Sequence, residues 1–135
     1  MKTFELKVLT PEREFFSGSV EAASLMLSDG SVTILAEHMP MVAPVAICDL
    51  RIRQDGEWRE AFASEGFIEV RRDKVLLFLQ TCEWPEEIDE HRAEEAKLRA
   101  EERLRQKRSI AEYQQSRIAL SRAMERLKVT RVKRG

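Results

Sequence analysis

The sequence predicts an α+β protein, an N-terminal antiparallel β sandwich followed by a C-terminal two-helix hairpin. Three observations carry this. Residues 1–84 alternate apolar and polar side chains between turn dipeptides, the period-two pattern of strands. Residues 85–135 are dense in Glu, Arg, Lys, Ala and Leu, the composition of long helices. Structure breakers are segregated in the same way. Four of the five glycines, three of the four prolines and all six phenylalanines precede residue 85. The expected division is a β domain over 1–84 and a helical arm over 85–135.

In chain order, Phe4, Leu6 and Val8 alternate with Glu5 and Lys7 and predict a half-buried strand. Pro11 and Glu12 start a turn. Val20 to Leu27 is the second β run, ended by Asp29-Gly30, a hairpin dipeptide. Val32 to Leu35 is a short strand, and Ala36 to Pro44, with two prolines, is expected as a loop. Ile47 to Arg53 alternates again. Asp55-Gly56 turns the chain into Trp58 to Ala63. Phe67, Ile68 and Val70 form a short run, Arg72-Asp73 turns, and Val75, Leu77 and Leu79 make a final strand. Pro85-Glu86-Glu87 then opens a helix, because proline is tolerated in a first turn and acids suit its positive end. Ile88, Ala93, Ala96, Ala100 and Leu104 form a narrow stripe of mostly small residues, which permits close helix–helix approach. The pattern breaks near Lys107-Arg108-Ser109. Ser109 followed by Glu112 has the form of a capping box, and Ile110, Tyr113, Leu120, Met124 and Leu127, with Ala119 and Ala123 beside them, mark the apolar face of a second helix.

Bulk properties exclude several functions. The net charge of −1 argues against a protein built to coat nucleic acid. Residues 1–84 carry 9 basic and 14 acidic side chains, a net −5, whereas 85–135 carry 14 and 10, a net +4. Much of the arm's charge fits a solvated helix laced with i,i+4 ion pairs. Cys48 and Cys82 lie in apolar β runs without the spacing of a zinc site, and are expected to be buried free thiols. No apolar run reaches membrane-spanning length, and the N-terminus lacks an apolar signal core, so a soluble protein of a reducing compartment is expected.

The residues also meet a known pattern. Phe16-Ser17-Gly18-Ser19-Val20-Glu21, Ser28-Asp29-Gly30, Ile34-Leu35 with His38-Met39-Pro40, Gly66-Phe67-Ile68-Glu69-Val70 and Asp73-Lys74-Val75 resemble the β domain of the epsilon subunit of bacterial F-type ATP synthase. Ile88-Asp89-Glu90-His91-Arg92-Ala93 resembles that family's I-D-x-x-R-A helix motif, and Ala119-Leu120-Ser121-Arg122-Ala123 its second-helix motif. The resemblance spans essentially the whole chain. It departs where the usual Leu-Pro-Gly-His becomes Leu35-Ala36-Glu37-His38, and where Gly-Gly becomes Glu65-Gly66. Pro-Gly becomes Cys48-Asp49, and Thr33 and Ser31 stand in for a glycine and a loop acid.

The resemblance implies a two-layer sandwich of about ten strands and a non-catalytic rotor subunit, peripheral to the cytoplasmic face of the bacterial membrane. It implies contacts with the gamma subunit and the c ring through the sandwich, with Asp29, Ser31 and His38 as rotor contacts. The hairpin would extend toward the catalytic alpha and beta subunits and block hydrolysis. ATP is implied as a regulatory ligand, at the positions Glu83, Ile88, Asp89, Arg92, Ala93, Arg99, Arg122 and Arg126. The chemistry is coherent, since Asp89, Arg92 and Arg99 line one side of a helix and Arg122 and Arg126 are four apart on the other. Guanidinium groups suit phosphate oxygens, and a carboxylate accepts from an adenine amino group or a ribose hydroxyl. Arg103 is assigned to a different helical face.

No cofactor is expected to be required, and no acidic pair or P-loop hydroxyl is evident for magnesium. His38 and His91 lack the partners of a metal site, and Ser17, Ser19 and Ser109 lack those of a nucleophile triad. Two other classes compete. One is a stand-alone ATP-sensing module. The other is a nucleic-acid adaptor, disfavoured by the glutamates interleaved through the arm.

Overall fold

The computed structural model describes residues 2–106 and 109–134, without the side chains of 132–134. The chain divides into two compact units, Met1–Trp84 and Pro85–Gly135. The first holds ten strands: β1 (Phe4–Leu9), β2 (Glu14–Val20), β3 (Ala22–Leu27), β4 (Gly30–Leu35), β5 (Met41–Val45), β6 (Cys48–Gln54), β7 (Glu57–Ala63), β8 (Gly66–Val70), β9 (Lys74–Leu79) and β10 (Cys82–Glu83). Hydrogen bonding follows the order β10-β7-β6-β3-β5-β8-β9-β1-β2, with β4 on the free side of β3. Strand β3 joins the two layers. Ala22 to Ser24 pair with β6, while Leu27 pairs with Val45 of β5. Every ladder is antiparallel except β1 with β9, which runs parallel from Glu5↔Lys74 to Leu9↔Phe78.

The alternation in the sequence becomes the two faces of each strand. Leu6, Val8, Val20, Ile34, Leu50, Ile52 and Ala61 are fully enclosed in one core with Ile68, Val75 and Leu77. At its edge Trp84 packs on Phe15, ring centroids 4.5 Å apart, and the Arg59 guanidinium lies 3.8 Å from the centre of the Trp84 ring. The Asp55-Gly56 turn carries φ of 53° and 78°, the positive pair that the tightest hairpin demands. Gly66 is required for another reason. A Cβ there would overlap the Phe78 carbonyl of β9. Cys48 and Cys82 are buried thiols outside any disulfide, and both pair in register with Ala63 from opposite sides.

Two strands depart from expectation. Glu14–Val20 forms β2 where the sequence pointed only to a turn leading into Val20, because Ser17-Gly18-Ser19 interrupts its apolar signal. Met41–Val45 forms β5 rather than a loop. Pro44 is tolerated there because β5 is paired along its whole length only with β8, and meets β3 at Val45 alone.

The second unit begins with a 3₁₀ turn, Pro85–Glu87, followed by α1 (Glu90–Gln106) and α2 (Ile110–Arg134). The α-helix thus starts later than the proline predicted, because Asp89 supplies the cap. Ser109 caps α2 as the sequence indicated, its Oγ accepting from the Glu112 amide at 3.1 Å. The break expected at Lys107-Arg108 lies outside the described residues. The helices are antiparallel. One cleft joins Ile88 and Asp89 to Thr130, and another joins Arg103 to Gln115 and Ser116. Ala93 and Ala100 of α1 and Ser116, Ala123, Leu127 and Thr130 of α2 are buried. The expected stripe on α2 is split: Leu127, with Ala123 beside it, lies in this seam, whereas Ile110 is 79% exposed and Met124 52%.

Candidate functional site

The motif at the start of α1 has a direct structural meaning. Asp89 Oδ1 accepts from the Arg92 backbone N–H at 3.1 Å, and the Asp89 carbonyl accepts from Ala93 N–H at 3.0 Å. Asp89 is therefore the N-cap. Ile88 precedes the cap and Ala93 is the fourth residue after it, and both are buried, the placement of a hydrophobic staple. The same carboxylate, exposed, lines an open cleft of about 430 Å³ with Pro85, Glu86, Ile88, Glu90, His91 and Thr130.

The arginines form two rows. In α1, Arg92, Arg99 and Arg103 follow at spacings of 7 and 4. Eleven residues make three turns plus roughly 20°, so Arg103 shares the side of Arg92 and does not lie on a different face, as the sequence reading held. In α2, Gln115, Arg122 and Arg126 repeat the spacings 7 and 4. Arg103 and Gln115 line one cavity of about 310 Å³ with Gln106, Glu112 and Ser116, which sets both rows on the same face of the hairpin. Arg92 and Arg99 are exposed, while Arg122 and Arg126 are half-buried.

The remaining charges of α1 sort differently. Arg105 is held by Glu101 at 3.9 Å and Glu102 at 3.3 Å, and His91 Nε2 lies 3.0 Å from Glu95. These are the ion pairs expected of a solvated helix. Among the described residues, Arg99 and Arg103 have neither a hydrogen-bond nor an ion-pair partner.

The other candidate positions are dispersed. Glu83 lies on β10 in the first unit, opposite Phe62 in the ladder, whereas the remaining seven nucleotide candidates belong to the second. Asp29 and Ser31 sit at the β3–β4 turn. His38 lies beyond the far end of β4, its ring nitrogen Nδ1 3.0 Å from the Met39 carbonyl oxygen. The six residues of β4 separate them by roughly 20 Å. Asp29 and Ser31 are thus neighbours, and His38 is not beside them.

A feature that the sequence reading missed lies on the outward face of β5, β8, β9 and β1. The register aligns Pro44, Phe67, Phe78 and Leu9 in one row. Phe67 is 59% exposed and Phe78 42%. The signal was present, since Phe67 and Phe78 fall on the polar phase of their strands. Among the described residues no group of three or more His, Cys, Asp or Glu could hold a metal ion, and no helix is long and apolar enough to cross a membrane.

Comparison with known proteins matches both units. Residues 3–85 fit the model of the beta-sandwich domain of the ATP synthase delta/epsilon chain, and residues 86–131 that of its long alpha-helix domain. The chain belongs to the ATP synthase delta/epsilon family. It is 51% identical over 129 residues to the ATP synthase epsilon chain of Caldanaerobacter subterraneus subsp. tengcongensis, covering 95% of this chain and 94% of that one. It is 50% identical over 134 residues to that of Ruminiclostridium cellulolyticum, covering 99% and 100%. The sequence resemblance to bacterial epsilon subunits is borne out.

Its fold is also that of a chain in the Euglena gracilis mitochondrial ATP synthase OSCP/F1/c-ring structure. The TM-score is 0.80 at 20% identity, over 98% of this chain and 82% of that one. A chain in the central stalk and c-ring structure of the Tetrahymena thermophila mitochondrial enzyme gives a TM-score of 0.66 at 12% identity, over 96% and 97%. Within the family, the retained Gly66 of the usual Gly-Gly pair is the one at which a side chain would strike β9. Where a glycine is usual in the Leu-Pro-Gly-His loop, Glu37 adopts a φ of 68°.

Proposed function

We propose that this chain is a non-catalytic central-stalk subunit of a proton-translocating F-type ATP synthase, peripheral to the cytoplasmic face of the membrane. Its sandwich holds a gamma subunit and docks on a c ring. Its helical arm restrains ATP hydrolysis by extending toward the catalytic alpha and beta subunits, and binds ATP in the folded hairpin. The observation that carries the reading is the roughly half-identical match to epsilon chains along the whole chain, both units included.

Two structural features support the finer parts. The row Pro44–Phe67–Phe78–Leu9 is an apolar strip on an outward sheet face, of a kind that marks a docking surface for a partner such as gamma. The seam between α1 and α2 is built of small residues and leaves Ile110 and Met124 in solvent. A hairpin buried so thinly can open at low cost, and the apolar side chains of α2 are then available to another surface. The facing rows of arginine and glutamine support the nucleotide reading.

Deletion of residues 86–135 from the assembled complex tests the central claim. ATP synthesis should persist and ATP hydrolysis should rise. Unchanged hydrolysis would remove the inhibitory role from the arm. A chain ending at residue 84 that is folded and fails to bind gamma would remove the assigned interface.

A further inference from the structure

The sheet of the first unit is a path with two ends, β10 and β2. β10 pairs with β7 through Cys82 and Glu83, and β2 pairs with β1. Among the described residues no ladder joins these ends, so each leaves an open edge. Side chains close the gap instead. Arg13, just before β2, donates from its guanidinium to the Cys82 carbonyl of β10 at 3.2 Å. Trp84, the residue after β10, packs on Phe15 of β2 at 4.5 Å and meets Phe16 edge-on at 6.4 Å. The Arg59 guanidinium of β7 lies 3.8 Å from the centre of the Trp84 ring, and that of Arg13 lies 5.2 Å from the centre of Phe15. Contacts in succession, Arg59 to Trp84 to Phe15 to Arg13, thus link one end of the sheet to the other.

The composition of this closure is specific. Arg59 is exposed, and among the described residues it has no hydrogen-bond or ion-pair partner, so the Trp84 ring is what engages its charge. Trp84 is half-buried and packs against the sandwich core, into which Cys82 is also turned. The ring therefore covers the margin of the core beside that thiol.

The place of Trp84 in the chain gives the closure a second meaning. It is the last residue of the first unit, and Pro85 begins the second. β10 has two residues, and a strand so short frays readily. Motion of the arm, carried along the chain, would reach the pairs Cys82↔Ala63 and Glu83↔Phe62 directly if Trp84 were not anchored.

We propose that Arg59, Trp84, Phe15 and Arg13 form a latch that isolates the sandwich from the arm. The arm opens from Pro85 onward, while β10 stays paired and Cys82 stays closed to solvent. The latch lies wholly within the first unit, and its isolating role alone rests on the reading of a movable arm.

The test is labelling of the native full chain with iodoacetamide, with Cys48 and Cys82 read separately by peptide mass spectrometry. Trp84→Leu keeps apolar bulk in the gap and removes the ring. Arg59→Gln removes the cation from an exposed position, and circular dichroism verifies the fold of both variants. Cys82 labelling should quicken about tenfold in Trp84→Leu and about threefold in Arg59→Gln, with Cys48 as in wild type. Equal acceleration at both thiols would make Trp84 ordinary core filling and overturn the latch, and so would unchanged rates. Asp89→Ala, which loosens the arm by removing its helix cap, tests the isolation. It should leave Cys82 labelling unchanged beside an intact latch and raise it about fivefold further in the Trp84→Leu background. Faster Cys82 labelling in Asp89→Ala alone, or no further rise in the double variant, overturns the isolation. Unchanged ATP hydrolysis by a complex lacking residues 86–135 overturns the inhibitory arm and leaves these labelling rates as they are.

Discussion

The carboxylate of Asp89 accepts a hydrogen bond from the backbone amide of Arg92 at 3.1 Å. The two residues of the helix motif are thus joined through the main chain, and Asp89 serves the helix whether or not a ligand is present. Two roles for one side chain make its substitutions informative. Asp89→Ala should reduce the stability of the arm by about 1 kcal/mol through loss of the cap. Asp89→Asn should retain helix stability, because asparagine caps as well, and should still lose nucleotide affinity if the carboxylate accepts from the ligand. Thermal circular dichroism and titration calorimetry on the two variants separate these effects.

Arg92→Ala should weaken ATP binding tenfold to a hundredfold, the loss of one charge-assisted contact at about 1.5–3 kcal/mol. Arg105→Ala is the matched control, since Arg105 is already engaged by Glu101 and Glu102 on another side of the helix. Equal affinity of wild type and Arg92→Ala in calorimetry would remove the arginine face from nucleotide binding.

Phe67 and Ile68 are neighbours with opposite expected phenotypes. Ile68 is enclosed in the core, so Ile68→Ala should destabilise the sandwich by about 2–5 kcal/mol in denaturant titration. Phe67 is exposed, so Phe67→Ser should shift stability by no more than about 0.5 kcal/mol. The same Phe67→Ser change should reduce gamma binding in a pull-down, and unchanged binding would move the interface elsewhere.

The exposed pair Lys2–Glu37, 2.8 Å apart, predicts a bounded pH dependence. The hydrogen bond from Lys2, then its charge, holds the Glu37 carboxyl below its usual range. The reciprocal hydrogen bond and charge of Glu37 hold Lys2 above its own. Stability from the lowered acid is present above its unfolded value and lost as pH falls through the folded one. Stability from the raised amine is present below its unfolded value and lost as pH rises through the folded one. The difference in melting temperature between wild type and Lys2→Met should therefore be greatest near neutral pH, shrink at both extremes, and diminish in salt. Glu37→Gly relieves the positive φ, and at acid pH, where the pair is lost, it should melt above wild type.

The buried thiols give a check on the core. Cys48 and Cys82 flank Ala63 from adjacent strands, which sets their Cα atoms roughly 10 Å apart, beyond disulfide reach. Both should react with a thiol reagent slowly in the native protein and at once in denaturant. Rapid native labelling would mean that this edge of the core opens.

Most strands were legible because a half-buried strand must alternate, and Ile47 to Arg53 or Val75 to Leu79 could hardly read otherwise. Strand β2 was not, since Ser17, Gly18 and Ser19 carry no apolar phase. Strand β5 was hidden by Pro44, whose tolerance depends on a pairing that local sequence does not contain. In the arm, the capping residues were legible because caps are local chemistry. So was the α1 side of the buried seam, since Ala93 and Ala100 belong to the stripe read there, whereas Ser116 and Thr130 of α2 were not. Serine and threonine give a weak hydrophobic signal, and the larger side chains of Ile110 and Met124 drew attention to a face that points to solvent. The arginine spacing was available in the sequence throughout, and only counting whole turns from Arg92 to Arg103 reveals that they align.

The parallel pairing of β1 with β9 has a consequence for biogenesis. Glu5 meets Lys74, a separation of 69 residues, so the first strand synthesised waits for one of the last before either can be satisfied. On the ribosome β1 can form a hairpin with β2, but its second edge stays open until residues 74–78 emerge. Contacts so distant in sequence slow folding, because loop closure precedes any gain from pairing. The arm, encoded after that point, leaves the exit tunnel only once the sandwich has all its strands. Synthesis order thus delivers a finished β domain before the basic helices appear.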